Sequence, residues 1–197
     1  MRNVVLTGIG GQGTVLAAKV LAQAAENRGW HVRTAETIGM AQRGGSVVSH
    51  VRMGDAGEHV ASPLVAHGTA DVLIAFEPGE AARSLPLLAR GGTLVTATRP
   101  VQPVTASLAG GAYDPAPLIA AVSAREGRTL VVDEEPLLAA IGTTRALNTV
   151  LLTAAVSTGA VGLSVDELRQ AIRACVKPRF VDLNLAAIDA TLAALAE

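Results

Sequence analysis

Apolar residues along the chain fall into short runs separated by segments with helical periodicity. Residues 3–7 and 70–76 are nearly continuous apolar runs, which is typical of strands buried on both faces of a sheet. Between them, residues 14–28 place apolar side chains at helical spacing and stop before Gly29, which favours a helix that ends there. A strand followed directly by a helix predicts an α/β architecture.

The segment after the second predicted strand departs from an ordinary dinucleotide-binding fold. Residues 31–36 have the composition of a strand, and such a fold continues from there into a crossover helix. Here the chain runs instead into the glycine-rich residues 38–45 and then into residues 46–53, which are rich in strand-forming residues. The sequence therefore predicts a loop and a strand in place of the second crossover helix.

The second half of the chain continues the alternation of strands and helices. Pro100 and Pro103 have no backbone N–H to donate, so any strand within residues 99–111 is a short edge strand. Helices are predicted at residues 78–90, 114–126, 144–158, 164–176 and 182–196. The first is expected to end at Gly91 and Gly92, and the fourth to begin with a capping box of Ser164 and Glu167. A strand is predicted at residues 93–96 and a buried strand at residues 128–132. We expect a single domain over residues 1–197, a Rossmann-like open sheet that is mainly parallel and flanked by helices.

Composition narrows the classes of function. Only 2% of residues are aromatic, so the core must consist of Ala, Val, Leu and Ile. The net charge is −1 and no run of Lys and Arg occurs, which argues against nucleic acid as a partner. Cys175 is the only cysteine, which excludes a disulfide framework or a cysteine-ligated cluster within the chain. No apolar stretch approaches the roughly 20 residues of a membrane span, and the first strand begins too early for a signal peptide, so we expect a cytoplasmic protein without a membrane partner.

The first glycine segment follows the first predicted strand. Gly8, Gly10 and Gly13 satisfy the pattern G-x-G-x-x-G, in which glycines let the backbone turn tightly and present amide groups at a helix N-terminus. The segment is therefore a candidate site for a phosphate or another anion, although the same glycines also permit close packing of strand and helix. Gln12 can contact a ligand or hold the turn in place. Glu36 lies where a dinucleotide-binding fold has its ribose ligand, but the missing crossover helix weakens that assignment and favours a structural or partner-facing role.

The second glycine segment surrounds Arg43. A guanidinium group can donate two hydrogen bonds to a phosphate or carboxylate, but on its own the segment is better interpreted as an ordinary turn with a solvated arginine. Loops at the carboxyl ends of neighbouring parallel strands lie side by side, so the two segments together form a plausible site. The candidate binding residues are Gly8, Gly10, Gly11, Gln12, Gly13, Gln42, Arg43, Gly44 and Gly45.

Other polar residues are interpreted as structural. His50 is expected to be a hydrogen-bonded histidine within a strand, and Asn148 to bond to neighbouring groups on an apolar helix. Residues 133–135 are an acidic turn at a helix N-terminus rather than an acid and base pair. Lys177 and Arg179 are interpreted as solvated linker charges. No catalytic residue and no metal-ligating group is predicted.

Two motifs together resemble a known family. GIGGQGT, followed by ETIGMAQRGGSVVSHVRMG, is similar to the gamma domain of the 2-oxoacid:ferredoxin oxidoreductases, and the likeness extends through ADVLIAFEPGEAAR and ALNTVLL to KPRFVDLNLAAIDA. The family also runs from its second strand into such a loop and strand, which accounts for the missing helix. The MAQ tripeptide before Arg43 favours the branch that acts on arylpyruvates such as indolepyruvate.

The resemblance implies an accessory subunit of an enzyme that oxidatively decarboxylates 2-oxoacids. It implies that thiamine diphosphate, magnesium and iron–sulfur clusters lie on a large partner subunit, which passes electrons to ferredoxin, and that this chain alone binds none of them and is inactive. A contact with coenzyme A, the acyl acceptor, is one role open to the glycine segments, and a homodimer is one state open to the isolated chain. The alternative is a stand-alone Rossmann-type protein that binds NAD(P) or another nucleotide.

Overall fold

A six-stranded mixed sheet forms the centre of the structure. The structure is a computed structural model that describes residues 1–39, 44–55, 57–102 and 113–196. The strands lie in the order β2-β3-β1-β4-β5-β6. They are β1 (Arg2–Ile9), β2 (His31–Ile38), β3 (Ser46–Gly54), β4 (Ala70–Ala75), β5 (Leu88–Ala97) and β6 (Thr129–Val132).

The direction of β3 sets the topology of the sheet. Strands β1, β4, β5 and β6 run parallel, whereas β3 lies antiparallel between β1 and β2. The predicted loop and strand in place of a crossover helix are thereby confirmed. The expectation that the two glycine segments follow neighbouring parallel strands is wrong, because β3 separates β1 from β2. Since the second segment leads into the start of β3, it nevertheless reaches the carboxyl end of β1.

Helices cover both faces of the sheet. The helices are α1 (Thr14–Asn27), α2 (Pro78–Ser84), α3 (Ala116–Ser123), α4 (Glu134–Ile141), α5 (Leu147–Ser157), α6 (Val165–Cys175) and α7 (Val181–Ala196). The predicted capping box at the start of α6 is present, with Ser164 and Glu167 each accepting a backbone N–H of the other. No helix among the described residues combines the length and apolar character needed to cross a membrane.

The helix predicted over residues 78–90 is too long. The α-helix ends at Ser84, a 3₁₀ turn follows at Leu85–Leu87, and β5 has already begun at Leu88. Pro86 explains the break, because it has no amide hydrogen to continue an α-helical ladder. The glycines that were expected to end the helix therefore lie inside β5.

Smaller differences concern the far edge of the sheet. Strand β6 is an edge strand in which only Val132 is fully buried, so the expectation of a buried strand at residues 128–132 is wrong. Helix α3 ends three residues earlier than predicted, and the Asp114 carboxylate accepts the N–H of Ala116 near its start. Residues 99–102 form no strand, and residues 103–111 of the predicted edge strand lie outside the described residues.

The core has two layers of unequal size. The larger packs α1, α5, α6 and α7 on one face of the sheet, where Leu6, Leu21 and Leu151 are completely buried. The smaller lies on the α2 side of the sheet and includes Val5 and Leu73. Alternate residues of β1 thus enter different layers, as the geometry of a strand requires. Burial of each large aliphatic side chain contributes about 1.5–3 kcal/mol to folding.

Candidate functional site

The two glycine segments meet at the carboxyl end of β1. The N–H of Gly10 donates to the carbonyl of Gly45 over 2.9 Å, and the N–H of Gly39 donates to the carbonyl of Ser46 over 2.9 Å. Gly44 has a φ of +79°, a conformation that favours glycine. The described parts of both segments therefore form one continuous surface. The predicted contacts of Gln42 and Arg43 lie outside the described residues.

The first turn is held together by its own polar groups. The Oε1 atom of Gln12 accepts the N–H of Ile9 at 2.7 Å, and its Nε2 atom donates to the carbonyl of Phe76 at 2.9 Å. Of the two interpretations of Gln12, the structure shows the one in which it ties down the turn. Gly8 serves close packing, because a Cβ there would lie 2.8 Å from both Phe76 Cβ and Gln12 Oε1.

The turn still leaves an open helix N-terminus. Helix α1 begins at Thr14 after Gly13, whose φ of +88° is left-handed and which supplies no side-chain cap. Gly11 is exposed with a φ of +105°. Among the described residues, no group accepts the N–H of Gly11 or Gly13. These amides and the positive end of the helix dipole suit an anion, as the sequence pattern predicts.

A cleft of about 560 Å³ opens beside this helix N-terminus. The first turn of α1 and Phe76 form one side, residues 99–102 and Glu134 form another, and residues 144–148 at the start of α5 form the third. Its volume is in the usual range for small-molecule sites. Of the residues that line this cleft, the sequence predicted Gly11, Gln12 and Gly13 but not residues 99–102 or Arg145.

Glu134 is fixed in the wall of the cleft. Its side chain is 1% exposed, and its carboxylate accepts the backbone N–H of Thr98 at 2.9 Å, the hydroxyl of Thr98 at 3.1 Å and the N–H of Arg99 at 2.9 Å. Three donors and the N-terminus of α4 stabilise its negative charge. Glu134 thus positions the backbone that follows β5, which agrees with the structural interpretation of the acidic turn.

A second group of buried carboxylates lies beneath the glycine segments. Glu77 caps α2 by accepting the N–H of Glu80 at 2.9 Å, and Glu80 accepts the hydroxyl of Ser46 at 2.5 Å. Tyr113 donates its hydroxyl to Glu77 at 2.9 Å, and burial, together with that carboxylate, raises the pKa of Tyr113 to about 12. These contacts connect the first residue of β3 to α2. Because the residues in these contacts are far apart in sequence, the contacts could not be predicted from the residue pattern.

Of the remaining candidates, Asn148 lines the cleft and the others lie away from it. Glu36 is exposed on the edge strand β2, and it does not line the cleft as a ribose ligand would. His50 is 7% exposed, its Nδ1 atom accepts the N–H of Val65 at 3.4 Å, and burial lowers its pKa. Asn148 accepts the N–H of Thr149 at 2.9 Å, and Arg179 stacks on the ring of Phe180. His50 and Asn148 therefore have the hydrogen bonds that were expected of them.

Fold and site together define a class. A glycine turn that follows the first strand of an α/β sheet and opens onto a helix N-terminus is typical of Rossmann-like ligand-binding domains. Residues 3–194 match the family Pyruvate ferredoxin/flavodoxin oxidoreductase, and the chain belongs to that family. It is 39% identical over 189 residues to the indolepyruvate oxidoreductase subunit IorB of Pyrococcus horikoshii, which covers 95% of this chain and 92% of the relative.

Solved structures share the fold. The gamma subunit of a keto/oxoacid ferredoxin oxidoreductase from Geobacter sulfurreducens aligns over 100% of both chains, with a TM-score of 0.72 and 23% identity. A 2-oxoglutarate:ferredoxin oxidoreductase from Magnetococcus marinus, solved with 2-oxoglutarate, coenzyme A and succinyl-CoA bound, aligns over 98% of this chain and 30% of its own, with a TM-score of 0.72 and 19% identity. At these identities the likeness shows the fold alone.

Family membership decides between the two classes of function left open by the sequence. The resemblance seen in the glycine motifs is confirmed over nearly the whole chain. The chain is thus an accessory subunit of a 2-oxoacid:ferredoxin oxidoreductase. A stand-alone NAD(P)-binding protein is not favoured, and the exposed position of Glu36 agrees with this.

Proposed function

We propose that this chain is the accessory subunit of an indolepyruvate:ferredoxin oxidoreductase. The observation that carries the proposal is the 39% identity to an indolepyruvate oxidoreductase subunit over nearly the full length of both chains. The reaction is the oxidative decarboxylation of an arylpyruvate, with coenzyme A as the acyl acceptor and ferredoxin as the electron acceptor.

The proposal divides the chemistry between two chains. Iron–sulfur clusters need several cysteine thiolates, and this chain has Cys175 alone. The clusters therefore belong to the large partner subunit. The proposal assigns thiamine diphosphate, its magnesium ion and electron transfer to ferredoxin to that subunit as well. The present chain contributes a surface to that subunit and acts through the assembled enzyme.

The joined glycine segments are the part that faces the reaction centre in this proposal. Gly10 and Gly45 are hydrogen-bonded to each other, so a single surface presents the N–H groups of Gly11 and Gly13, which are bonded to no acceptor within the described part of the chain. The positive end of α1 favours an anionic ligand at this surface. We assign to it a contact with coenzyme A at the entrance to the partner's active site.

Reconstitution with the large subunit tests the division of labour. The chain is purified alone and co-expressed with the large subunit, and reduction of ferredoxin is followed with indolepyruvate and coenzyme A. We expect no activity from the chain alone, activity from the complex, and a higher kcat/KM for indolepyruvate than for pyruvate or 2-ketoisovalerate. Activity of the isolated chain, or saturable binding of NAD by calorimetry, would contradict the proposal.

Arg43 provides a second test in the same assay. Loss of a guanidinium group that can donate two hydrogen bonds to a phosphate is expected to raise the half-saturating concentration of coenzyme A in Arg43→Ala. Arg90→Ala is the matched control, because Arg90 is exposed near the start of β5 and pairs with Glu126. Equal coenzyme A kinetics in the two variants would remove Arg43 from the site.

A further inference from the structure

Strand β2 is a long edge strand whose outer side is uncovered. It lies at one end of the sheet and pairs with β3 over eight residues. Within the described ranges no other segment pairs with it. Its exposed side chains are those of Arg33, Thr34, Glu36, Thr37 and Ile38. Because alternate residues of an edge strand direct backbone N–H and C=O groups away from the sheet, β2 can accept a further strand.

The features that commonly protect an edge strand are missing from β2. Its eight residues, all of them described, have the sequence HVRTAETI, which contains neither Pro nor Lys. Its register with β3 is continuous, so no bulge turns the strand away from a neighbour. The opposite edge strand, β6, has only four residues and is protected by its short length. Since a long, regular edge strand is a template for pairing with another chain, β2 is the edge at which we expect a partner strand.

One face of β2 carries the most exposed large apolar side chain. Alternate residues from Val32 to Ile38 lie on the face that α1 covers, where Val32 packs against the larger core layer. Thr34 and Glu36 line a groove beside α1 on the same face. Ile38 is 61% exposed, more than any other large apolar residue in the described part of the chain. A strand that places an apolar side chain beside Ile38 would remove this surface from water.

Two copies of β2 can pair symmetrically in only a few registers. Directly opposite side chains of an antiparallel pair lie on the same face, so a two-fold axis must pass through a residue, which then faces its own copy. An axis through Arg33 or Glu36 would place like charges opposite each other, which is unfavourable. An axis through Thr34 would place Val32 opposite Glu36 of the second copy.

An axis through Ala35 gives a self-complementary register. Val32 then lies opposite Ile38 of the second copy, so that two apolar side chains meet. Thr34 lies opposite Glu36 of the second copy, so that a hydroxyl group can donate to a carboxylate. Each contact occurs twice across the axis, and no like charges lie opposite each other. The pattern of charged, polar and apolar residues in β2 therefore favours a second copy of the same strand.

We propose that β2 is the surface on which a second copy of this chain docks, with the two β2 strands paired antiparallel about Ala35 so that both sheets become one. The inference goes beyond the proposed function. None of the residues that line the cleft belongs to β2, so the pairing leaves both clefts open. In the proposed enzyme it would join two accessory subunits through their sheets.

Sedimentation equilibrium of the isolated full chain tests the pairing, and we expect a dimer that dissociates on dilution. Ile38→Lys places a cation opposite Val32, and Thr34→Glu places a carboxylate opposite Glu36. Each is expected to raise the dimer Kd at least about tenfold. Both positions are exposed, so circular dichroism should show an unchanged fold.

Two further variants separate the charge pattern from a general effect of substitution. Thr34→Lys places a cation opposite Glu36 and should lower the dimer Kd, the opposite of the effect of Thr34→Glu. Ser123→Glu adds the same carboxylate at an exposed position in α3, away from β2, and should leave the Kd unchanged.

A disulfide tests the register. Opposite residues of an antiparallel pair have Cα atoms about 4.5–5.5 Å apart, which is within the range that a disulfide spans. In a Cys175→Ser background, Ala35→Cys should therefore form a covalent dimer under mild oxidation. Thr37→Cys should not, because Thr37 lies opposite Arg33 in this register.

Several outcomes would overturn the proposal. These are a chain that is monomeric at every concentration, a dimer that Ile38→Lys and Thr34→Glu leave intact, and equal cross-linking of Ala35→Cys and Thr37→Cys. Deuterium exchange of the β2 amides identifies a different occupant. Protection that appears in a monomeric chain only after the large subunit is added would assign this edge to that subunit and exclude pairing between copies.

Discussion

The turn at residues 8–13 and the segment at residues 144–148 face each other across one cleft, yet they are built in opposite ways. The turn carries the recognisable glycine pattern. Within it, the side chain of Gln12 accepts the N–H of Ile9 and donates to the carbonyl of Phe76. The other segment has no glycine motif, and the guanidinium group of Arg145 forms no ion pair with any described residue.

This difference indicates that a sequence motif can identify the residues that shape a site rather than the residues that donate hydrogen bonds to its ligand. The glycine pattern is recognisable because close packing and left-handed backbone restrict the residue type at Gly8 and Gly13. A donor that points into open space has no such restriction within its own chain segment. If this contrast is right, substitutions in the turn affect stability, and substitutions at the start of α5 affect binding.

The largest effect on stability is expected from Gly8→Ala. The new Cβ would lie 2.8 Å from Phe76 Cβ, so the strand and the chain after β4 must move apart. We expect a loss of about 3 kcal/mol in the free energy of unfolding, measured by urea denaturation. The control is Gly91→Ala, where a Cβ meets nothing within 4 Å. Equal stability of the two variants would show that the turn is not tightly packed.

A smaller loss is expected from Gln12→Ala. The change leaves the N–H of Ile9 and the carbonyl of Phe76 without their side-chain partner, which costs about 1–3 kcal/mol. Gln23→Ala is the matched control, since Gln23 bonds only to the exposed side chain of Asn27. If Gln12→Ala retained full stability but lost coenzyme A binding, Gln12 would be a ligand contact and the contrast would fail.

The smallest effect on stability is expected from Arg145→Ala. Its guanidinium group is exposed and unpaired within the described residues, so the free energy of unfolding should change by less than about 0.5 kcal/mol. Thermal or urea denaturation checks this directly. A clear destabilisation would mean that Arg145 supports the fold rather than a ligand.

The sequence predicted the parts of the fold that depend on local pattern. Strands β1 to β4, helix α1 and the capping box of Ser164 follow from periodicity and end signals that lie within each segment. The predicted helix over residues 78–90 failed because Ala89 and Arg90 have good helix propensity, whereas pairing with β4, seen at Ala70 and Leu88, places them in a strand.

Only the part of the site that lies within one short segment could be predicted from the sequence. The glycine turn is a contiguous pattern, so its position at a helix N-terminus could be inferred from residues 8–14. Arg99, Glu134 and Arg145 are distant from it in sequence and come together only because β5, α4 and α5 end or begin at the same edge of the sheet. A single sequence contains no signal for that convergence.

The reversed strand β3 has a consequence for how such subunits can diversify. The backbone leaves the sheet at Gly39 and rejoins it at Ser46, where the two residues are joined by one hydrogen bond. A segment whose two ends lie side by side in the sheet can change in sequence or length without shifting the register of any strand. The residues between Gly39 and Ser46 can therefore differ between relatives while every buried layer of the domain stays as it is.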